Sequence, residues 1–301
     1  MVTARQLPSP THDVGQACAD MEESGYALIA SALDSEQVNV MWRRLFEQAE
    51  CEAEAAGGAL SVSRDVTAHG GVMALLNKGV VWQELLDPGS AVHQVIDQVF
   101  TPSFDGDLSS LQGLDQRYLL SSMGGNFKRK EQEGHPFFHT DQGFAPGYLS
   151  YPLVLNVFYL LSDFDHGNGA TLVVPGSHRV TPPKWGTYPD TGAVTIEAPA
   201  GTAFIFEGRT WHAAGINTTG DLRVMVNSFY CAPYIRQRES LPLNLRQYVV
   251  ESLSDDQLRL CGFDTMYQGP AGAFVGFGLI EPTLGRHNIS HRMSSIPELH
   301  H

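Results

Sequence analysis

Short β-rich runs dominate the chain between residues 117 and 233 and limit the folds that it can adopt. Six such runs alternate with segments rich in Gly, Pro and Asp, at 117–122, 153–161, 171–174, 194–197, 202–207 and 223–230. No helix-length pattern separates them, so a parallel sheet built from βαβ units is not expected. Their spacing is that of an antiparallel sandwich or barrel. The sequence therefore predicts a mainly β fold for this region.

Helical signals flank the β-rich region on both sides. Asp34 and Gln37 have the spacing of a capping box and predict the start of a long helix. A second helix is predicted over 90–100, between two prolines. Ser254 and Gln257 form a second capping-box pattern and predict a helix after the β-rich region.

These signals predict one domain, residues 1–301, with three parts. Support elements are expected at about 14–116, a jelly-roll core at about 117–233 and a helical tail at about 234–301. The tail is expected to close a pocket or to make a dimer contact, so the chain is predicted to be a monomer or a homodimer. A long loop at 182–192 is of the kind that often covers a site.

Charge and composition exclude several classes of partner. The formal net charge of −14 disfavours nucleic acid and anionic membranes. The basic triplet at 128–130 is the exception; it is expected to be a solvated loop, although it could meet an anionic substrate. Four scattered cysteines without a Cys-x-x-Cys pair argue against a zinc site and a disulfide framework. No apolar run reaches membrane-spanning length and residues 1–13 show no secretory signal, so a cytoplasmic location is expected.

A candidate metal site begins at His139-Thr140-Asp141 and continues with His212. Two imidazoles and one carboxylate can bind one face of Fe(II) and leave three positions for a bidentate co-substrate and O2. A lone His-x-Asp is uninformative, because this composition supplies roughly 0.7 by chance. Arg223, eleven residues after His212, is expected to start a strand that pairs beside the strand of His212, where an inward guanidinium could clamp a carboxylate. Together these residues predict an iron and 2-oxoglutarate site.

Several segments resemble the phytanoyl-CoA dioxygenase family of Fe(II)/2-oxoglutarate-dependent oxygenases. The most specific is Gly-Asn-Gly-Ala-Thr-Leu-Val-Val-Pro-Gly-Ser-His at 167–178. The strand pattern at 201–206 and the Gly-Tyr, strand, helix opening at 25–41 are also similar to the family. The resemblance covers roughly residues 15 to 235.

The resemblance implies a fold and a set of functional residues. The fold would be a double-stranded β-helix, a cupin-like jelly roll with flanking helices. The iron ligands would be His139, Asp141 and His212. Arg223 would pair with the distal carboxylate of 2-oxoglutarate, and Thr171 would contact the same co-substrate. O2 is the other implied co-substrate.

Two positions bear on how this chain compares with the family. Relatives often have Gln three residues before the first ligand, where this chain has Pro136. That co-substrate contact would be absent or made by Asn156 or His135. Halogenating relatives replace the ligand carboxylate with a small residue, whereas this chain keeps Asp141, so oxygenation is expected.

Aromatic residues after the first two ligands are the candidates for substrate contact. Phe144 and Tyr148 lie in a loop with Gly and Pro and are predicted to line the pocket, while the neighbouring aromatic residues are expected in the core. Asn227 would share the strand face of Arg223 and could reach the pocket.

Two residues near the ligands could have a purely structural role. Trp211 either packs beside His212 or contacts the substrate. His178 follows a Pro-Gly-Ser turn and is expected to make a structural hydrogen bond instead of binding metal.

The predicted function is a dioxygenase that hydroxylates a small or medium-sized, fairly apolar metabolite, in secondary metabolism, with release of succinate and CO2. An acyl-CoA hydroxylase with the same chemistry is an alternative, favoured only by the basic triplet. A cupin-type metalloenzyme without 2-oxoglutarate and a non-catalytic jelly-roll binding module would share the β-rich fold. Arg223 and the 167–178 segment argue against the cupin-type metalloenzyme, and the intact ligand set argues against the binding module.

Overall fold

Nine strands and six α-helices are present in the computed structural model, which describes residues 7–55, 69–101, 117–131, 134–145, 147–189 and 192–263. The strands are β1 (Tyr26–Ile29), β2 (His69–Met73), β3 (Leu119–Lys128), β4 (Val154–Leu160), β5 (Thr171–Val173), β6 (Val194–Thr195), β7 (Ala203–Glu207), β8 (His212–Ala214) and β9 (Arg223–Cys231). The α-helices are α1 (Val14–Ser24), α2 (Ser35–Ala55), α3 (Ala91–Phe100), α4 (Leu241–Asn244), α5 (Gln247–Ser252) and α6 (Asp255–Leu260). Short 3-10 helices span Leu75–Lys78, Val80–Leu86 and Ser177–Arg179.

The strands form two antiparallel sheets. The large sheet has the order β1-β7-β4-β9-β3-β2, and the small sheet has the order β6-β5-β8. The sandwich expected from the spacing of the β-rich runs is confirmed.

Successive side chains along a strand point to opposite sides of the sheet, and in the large sheet both faces are apolar. Phe204, Phe206 and Met225 point to the inner face and pack against Val173 of the small sheet. Their neighbours, such as Val224, point to the outer face, which the helices cover. Because burying one such side chain stabilises the fold by about 1.5–3 kcal/mol, each face is a strong constraint on strand register.

The predicted helix starts are confirmed. The backbone N–H of Asp34 donates to Gln37 Oε1 at 3.0 Å, and the backbone N–H of Gln37 donates to Asp34 Oδ1 at 2.8 Å. Ser254 and Gln257 make the same reciprocal pair at the start of α6. Ser90 caps α3, the helix predicted over 90–100.

Strand β3 is longer than the sequence predicted. The run predicted over 117–122 continues to Lys128 and pairs with both β9 and β2. Its second half contains two adjacent glycines, which lack the strand propensity on which the prediction relied. Gly125 is required for packing, since a Cβ there would lie 2.1 Å from Leu45 Cδ1 of α2. Strand β2 was not predicted either, whereas β8 is the strand that was expected to carry His212.

The strand that starts at Arg223 does not pair beside the strand of His212. β9 pairs with β3 and β4, whereas β8 pairs with β5 in the other sheet. The predicted pairing is therefore wrong. The residues between β8 and β9 carry the chain from one sheet to the other. Arg223 and His212 therefore belong to opposite walls of the sandwich.

The described part of the predicted tail packs on the outer side of the large sheet. Leu241 of α4, Val249 of α5 and Leu258 of α6 join the same apolar cluster as the outer face. The tail is described as far as residue 263. None of the described helices is both long and apolar enough to cross a membrane. All four cysteines are free thiols; Cys231 and Cys261 are buried, whereas Cys51 is exposed.

Candidate metal and co-substrate site

His139 and His212 are direct backbone partners. The N–H of His139 donates to the carbonyl of His212 at 2.9 Å, and the N–H of His212 donates back at 3.0 Å. The segment containing His139 thus extends the small sheet beyond β8. Because side chains of paired residues point to the same face, the two imidazole rings lie 4.3 Å apart.

Asp141 completes a three-ligand cluster with the two histidines. Its Oδ1 is 3.8 Å from His139 Nε2, and its Oδ2 is 3.6 Å from His212 Nε2. One potential ligand atom from each residue lies within 4.8 Å of the others. The sequence-predicted triad is therefore brought together by the fold.

The backbone fixes which nitrogen of each histidine faces the cluster. His139 Nδ1 lies 3.0 Å from the carbonyl of Phe137, and His212 Nδ1 lies 2.9 Å from the carbonyl of Thr210. A ring nitrogen that faces a carbonyl must donate, so each Nε2 keeps its lone pair for a metal. Burial also lowers the pKa of His212 and favours its neutral, ligating form. The donor set fits a divalent iron.

Asn156 contacts the ligand carboxylate. Its Nδ2 donates to Asp141 Oδ2 at 2.5 Å, from the inner face of β4. His135, the other candidate for the missing Gln contact, is exposed in the segment before His139. Of the two, Asn156 is the one that the structure brings to the cluster.

Arg223 is buried on the inner face of the large sheet, with 1% of its surface exposed. It donates to the carbonyl of Gly169 at 2.7 Å and to Asn126 Oδ1 at 3.2 Å, and it lies 4.9 Å from the ring centre of Phe164. Its Nε has no hydrogen-bond partner within the described residues. Burial lowers the pKa of Arg223 to about 10, an effect that Glu131 opposes, so the guanidinium stays charged. A buried cation with only neutral acceptors fits the carboxylate of a ligand.

Lys128 is a second buried cation beside Arg223, and the sequence did not predict that it would lie there. It is the cross-strand partner of Arg223, it is 1% exposed, and its Nζ lies 2.8 Å from Glu131. The prediction that the basic triplet is a solvated loop is wrong for Lys128, because the unexpected length of β3 turns this residue inward. Arg129 and Lys130 are exposed, as predicted.

Two more predicted residues lie on the walls of the site. Thr171 is buried on β5, where it pairs with Ala214 two residues beyond His212. Asn227 is two positions from Met225 and four from Arg223 on β9, so it shares their face, and its Oδ1 is buried without a partner among the described residues.

The aromatic residues near the ligands divide into a buried and an exposed set. Phe138 is fully buried, but the core expectation is wrong for its neighbours Phe137 and Tyr151, which are exposed. The predicted pocket residues Phe144 and Tyr148 are also exposed. Of the exposed set, Phe137 lies against His139, with ring centres 6.0 Å apart.

Trp211 and His178 have structural positions. Trp211 is 1% exposed and stacks on Phe138 in a cluster on the outer side of the small sheet, facing away from the site. His178 is buried, and its Nε2 lies 3.1 Å from the carbonyl of Glu22. Trp211 is therefore a packing residue, and His178 makes the structural hydrogen bond that was expected of it.

The described part of the predicted loop, at 182–189, lies beside the ligands. Trp185 packs edge-on against His139, with ring centres 6.0 Å apart. A cavity of about 250 Å³ opens between this loop and the segment after Asp141, and Tyr148 and Arg209 also line it.

Arg238 is a site residue that the sequence did not reveal. Its NH2 group lies 4.0 Å from Asp141 Oδ1, and its guanidinium lies 3.6 Å above the ring of Phe229. It follows β9 in an irregular segment without a motif, so no sequence signal marked it.

Comparison with known proteins agrees with this geometry. The family model for phytanoyl-CoA dioxygenase (PhyH) matches residues 21–225. Dioxygenase af480 of Aspergillus fumigatus is 27% identical over 259 residues, which cover 81% of this chain and 75% of af480.

Solved structures show the same fold at low identity. The apo form of EctD from S. alaskensis has a TM-score of 0.54 at 16% identity and covers 75% of this chain and 80% of its own. The epimerase SnoN, in complex with Fe3+, alpha ketoglutarate and nogalamycin RO, has a TM-score of 0.50 at 18% identity and covers 73% of this chain and 84% of its own. The double-stranded β-helix implied by the resemblance is confirmed. With the family model matching about two thirds of its length, the chain belongs to the phytanoyl-CoA dioxygenase family and is a non-heme iron, 2-oxoglutarate-dependent dioxygenase.

Proposed function

We propose that His139, Asp141 and His212 bind the iron of this enzyme, and that Arg223 with Lys128 binds the distal carboxylate of 2-oxoglutarate. One observation carries the assignment: a three-ligand cluster shares the interior of the sandwich with a buried arginine that has no carboxylate within hydrogen-bond distance among the described residues. A carboxylate bound there would accept two parallel hydrogen bonds from the guanidinium.

The residues around the cluster have distinct tasks in this proposal. The carbonyls of Phe137 and Thr210 hold the histidine rings so that both Nε2 atoms face the iron. Asn156 fixes the Asp141 carboxylate by its hydrogen bond. These contacts preorganise the ligands before iron binds.

When bound, iron and 2-oxoglutarate supply the O2-dependent chemistry in which 2-oxoglutarate becomes succinate and CO2 and the substrate is oxidised. The chain keeps a carboxylate at Asp141, which supports oxygenation over halogenation. Thr171 and Asn227 are proposed to contact the co-substrate and the substrate, respectively, because both lie on the inner walls.

The substrate is proposed to be a small or medium-sized, fairly apolar metabolite of secondary metabolism, most simply hydroxylated. The cavity of about 250 Å³ beside the segment after Asp141, which the exposed rings of Tyr148 and Trp185 line, supports this class; Phe144, also predicted for the pocket, is exposed but does not line this cavity. The acyl-CoA alternative loses part of its support, because Lys128 is buried and paired with Glu131. The cytoplasmic location and the monomeric or homodimeric state remain predictions.

Succinate formation tests the ligand assignment. Purified enzyme with iron(II), 2-oxoglutarate, O2 and a panel of apolar metabolites should release succinate, and the His139→Ala and His212→Ala variants should release none above background. His12→Ala is the matched control, since His12 is exposed and lies in the segment before α1. Full succinate release by His212→Ala would refute the assignment.

A further inference from the structure

Arg238 lies beside the metal ligands without being needed to orient them. Its distance of 4.0 Å from Asp141 is longer than a hydrogen bond, whereas Asn156 already donates to that carboxylate at 2.5 Å. No other carboxylate of the described residues lies within ion-pair distance of Arg238. The side chain is about half exposed, so its guanidinium is accessible to a ligand next to the cluster.

The position of Arg238 is nevertheless well fixed. Its backbone N–H donates to Ser121 Oγ at 2.8 Å, and the next residue, Glu239, donates its N–H to the carbonyl of Ser121 at 2.8 Å. On the other side, Gln237 donates to the carbonyls of Leu120 at 2.6 Å and of Cys261 at 3.1 Å. The guanidinium itself rests on the Phe229 ring, 3.6 Å from its centre. Such anchoring reduces the entropy that a ligand must overcome when it binds the side chain.

The charges of the loaded site balance without Arg238. Iron(II) brings two positive charges, and Arg223 and Lys128 bring one each. Asp141 and Glu131 bring one negative charge each, and 2-oxoglutarate brings two. Arg238 therefore leaves one positive charge in excess next to the reacting centre, where one anionic group would compensate it.

Exposed aromatic side chains lie on the segments that adjoin the cluster and Arg238. Trp185 lies against His139 on one side of the cluster. The carbonyl of Tyr151 accepts a hydrogen bond from the side chain of Gln142, the residue after Asp141. Burial, and to a smaller extent Tyr151, raises the pKa of Tyr234. Tyr234 is four residues before Arg238 and is exposed, like Trp185 and Tyr151. A substrate with a flat, apolar body could therefore contact these rings while its charged end reaches Arg238.

We infer that Arg238 is a specificity residue that binds a carboxylate of the substrate that the enzyme oxidises. The apolar body of this substrate lies against the aromatic rings of Trp185, Tyr151 and Tyr234. This inference rests on the proposed function, because the charge balance assumes iron and 2-oxoglutarate in the assigned positions. It narrows the substrate class from apolar metabolites to apolar monoanions.

Paired probes test the inference without turnover. The anaerobic enzyme, loaded with iron(II) and 2-oxoglutarate, is titrated with benzoate, 2-naphthoate and indole-3-acetate and with the primary amide of each, and binding is measured by isothermal titration calorimetry. At least one acid should bind about tenfold more tightly than its amide. Arg238→Gln should abolish this preference, and Arg236→Gln, a change at an exposed arginine of the same segment, should keep it.

The visible band of the iron and 2-oxoglutarate chelate, recorded in each titration, separates the ways in which the test could fail. Absence of this band in the wild-type enzyme contradicts the proposed function itself. A persistent band with no acid preferred over its amide, or a preference that survives in Arg238→Gln, overturns the inference about Arg238. A shifted band or weaker iron binding in Arg238→Gln, with the preference unchanged, would make Arg238 a positioning residue for Asp141 and would also overturn it.

Discussion

At the scale of single residues, the backbone decides what the metal ligands can do. Each ligand histidine donates Nδ1–H to a carbonyl two residues before it, that of Phe137 or of Thr210. The two contacts are equivalent because His139 and His212 are backbone partners in one antiparallel bridge. A pair of extended segments thus prepares two imidazoles for one metal ion.

Asn156→Ala should weaken iron binding more than 2-oxoglutarate binding. Its side chain donates to the ligand Asp141, and loss of such a contact typically lowers metal affinity by about 10–100-fold. Iron(II) affinity is measured by competition with a chelator, and Asn244→Ala, at an exposed position, is the control. Unchanged iron affinity with weaker 2-oxoglutarate binding would instead assign Asn156 to the missing Gln contact.

At the scale of elements, β3 supplies much of the proposed co-substrate site. Its inner face carries Asn126 and Lys128 to the side of Arg223, and its outer face receives α2. The close approach of α2 depends on Gly125, where a side chain would overlap Leu45.

Gly125→Ala should destabilise the fold by about 1–3 kcal/mol, because the added methyl overpacks the contact between β3 and α2. Urea unfolding measures the loss. Gly220→Ala is the control, since a Cβ there meets nothing within 4 Å. The Leu45→Ala background should reduce the effect of Gly125→Ala. Equal stability of the Gly125 and Gly220 variants would contradict this packing account.

His93 of α3 should make stability depend on pH. It is buried and bonded to Tyr118 and to the carbonyl of Leu85, and burial lowers its pKa to about 4. In the unfolded chain the pKa is about 6.5, so the unfolded state binds more protons between these values, and stability falls as the pH drops below 6.5.

At pH 5 the cost from His93 should be about 2 kcal/mol relative to pH 7. The measurement is the free energy of unfolding in urea at both pH values. His93→Gln should be less stable at pH 7 and should lose less stability on acidification than the wild type. Equal losses in the two proteins would show that His93 does not titrate as the structure implies.

At the scale of the whole molecule, the sequence predicted what depends on local patterns and known motifs. Capping boxes, the β-rich runs and the His-x-Asp motif with its distal histidine all correspond to observed elements. It missed what depends on the pairing of distant segments. Lys128 became an interior residue only because β3 extends through two glycines, and Arg238 reached Asp141 only because its segment is anchored to β3. Neither position has a local pattern from which its burial or its neighbours could be predicted.

The wrong pairing of the Arg223 strand has the same origin. Separation along the chain favoured adjacent strands, but the fold places β8 and β9 in opposite sheets. This arrangement places His212 on one wall and Arg223, the cation proposed to bind the co-substrate, on the other. The site is therefore a property of the closed sandwich and not of one hairpin.

The most direct test of the account is the visible charge-transfer band of the iron(II) and 2-oxoglutarate chelate, titrated without oxygen. The wild-type enzyme should give the band. Arg223→Ala should need at least about a hundredfold more 2-oxoglutarate, because a buried ion pair is lost, and His212→Ala should give no band. A band of wild-type strength and affinity in Arg223→Ala, or the absence of a band from wild-type protein shown to hold iron, would contradict it.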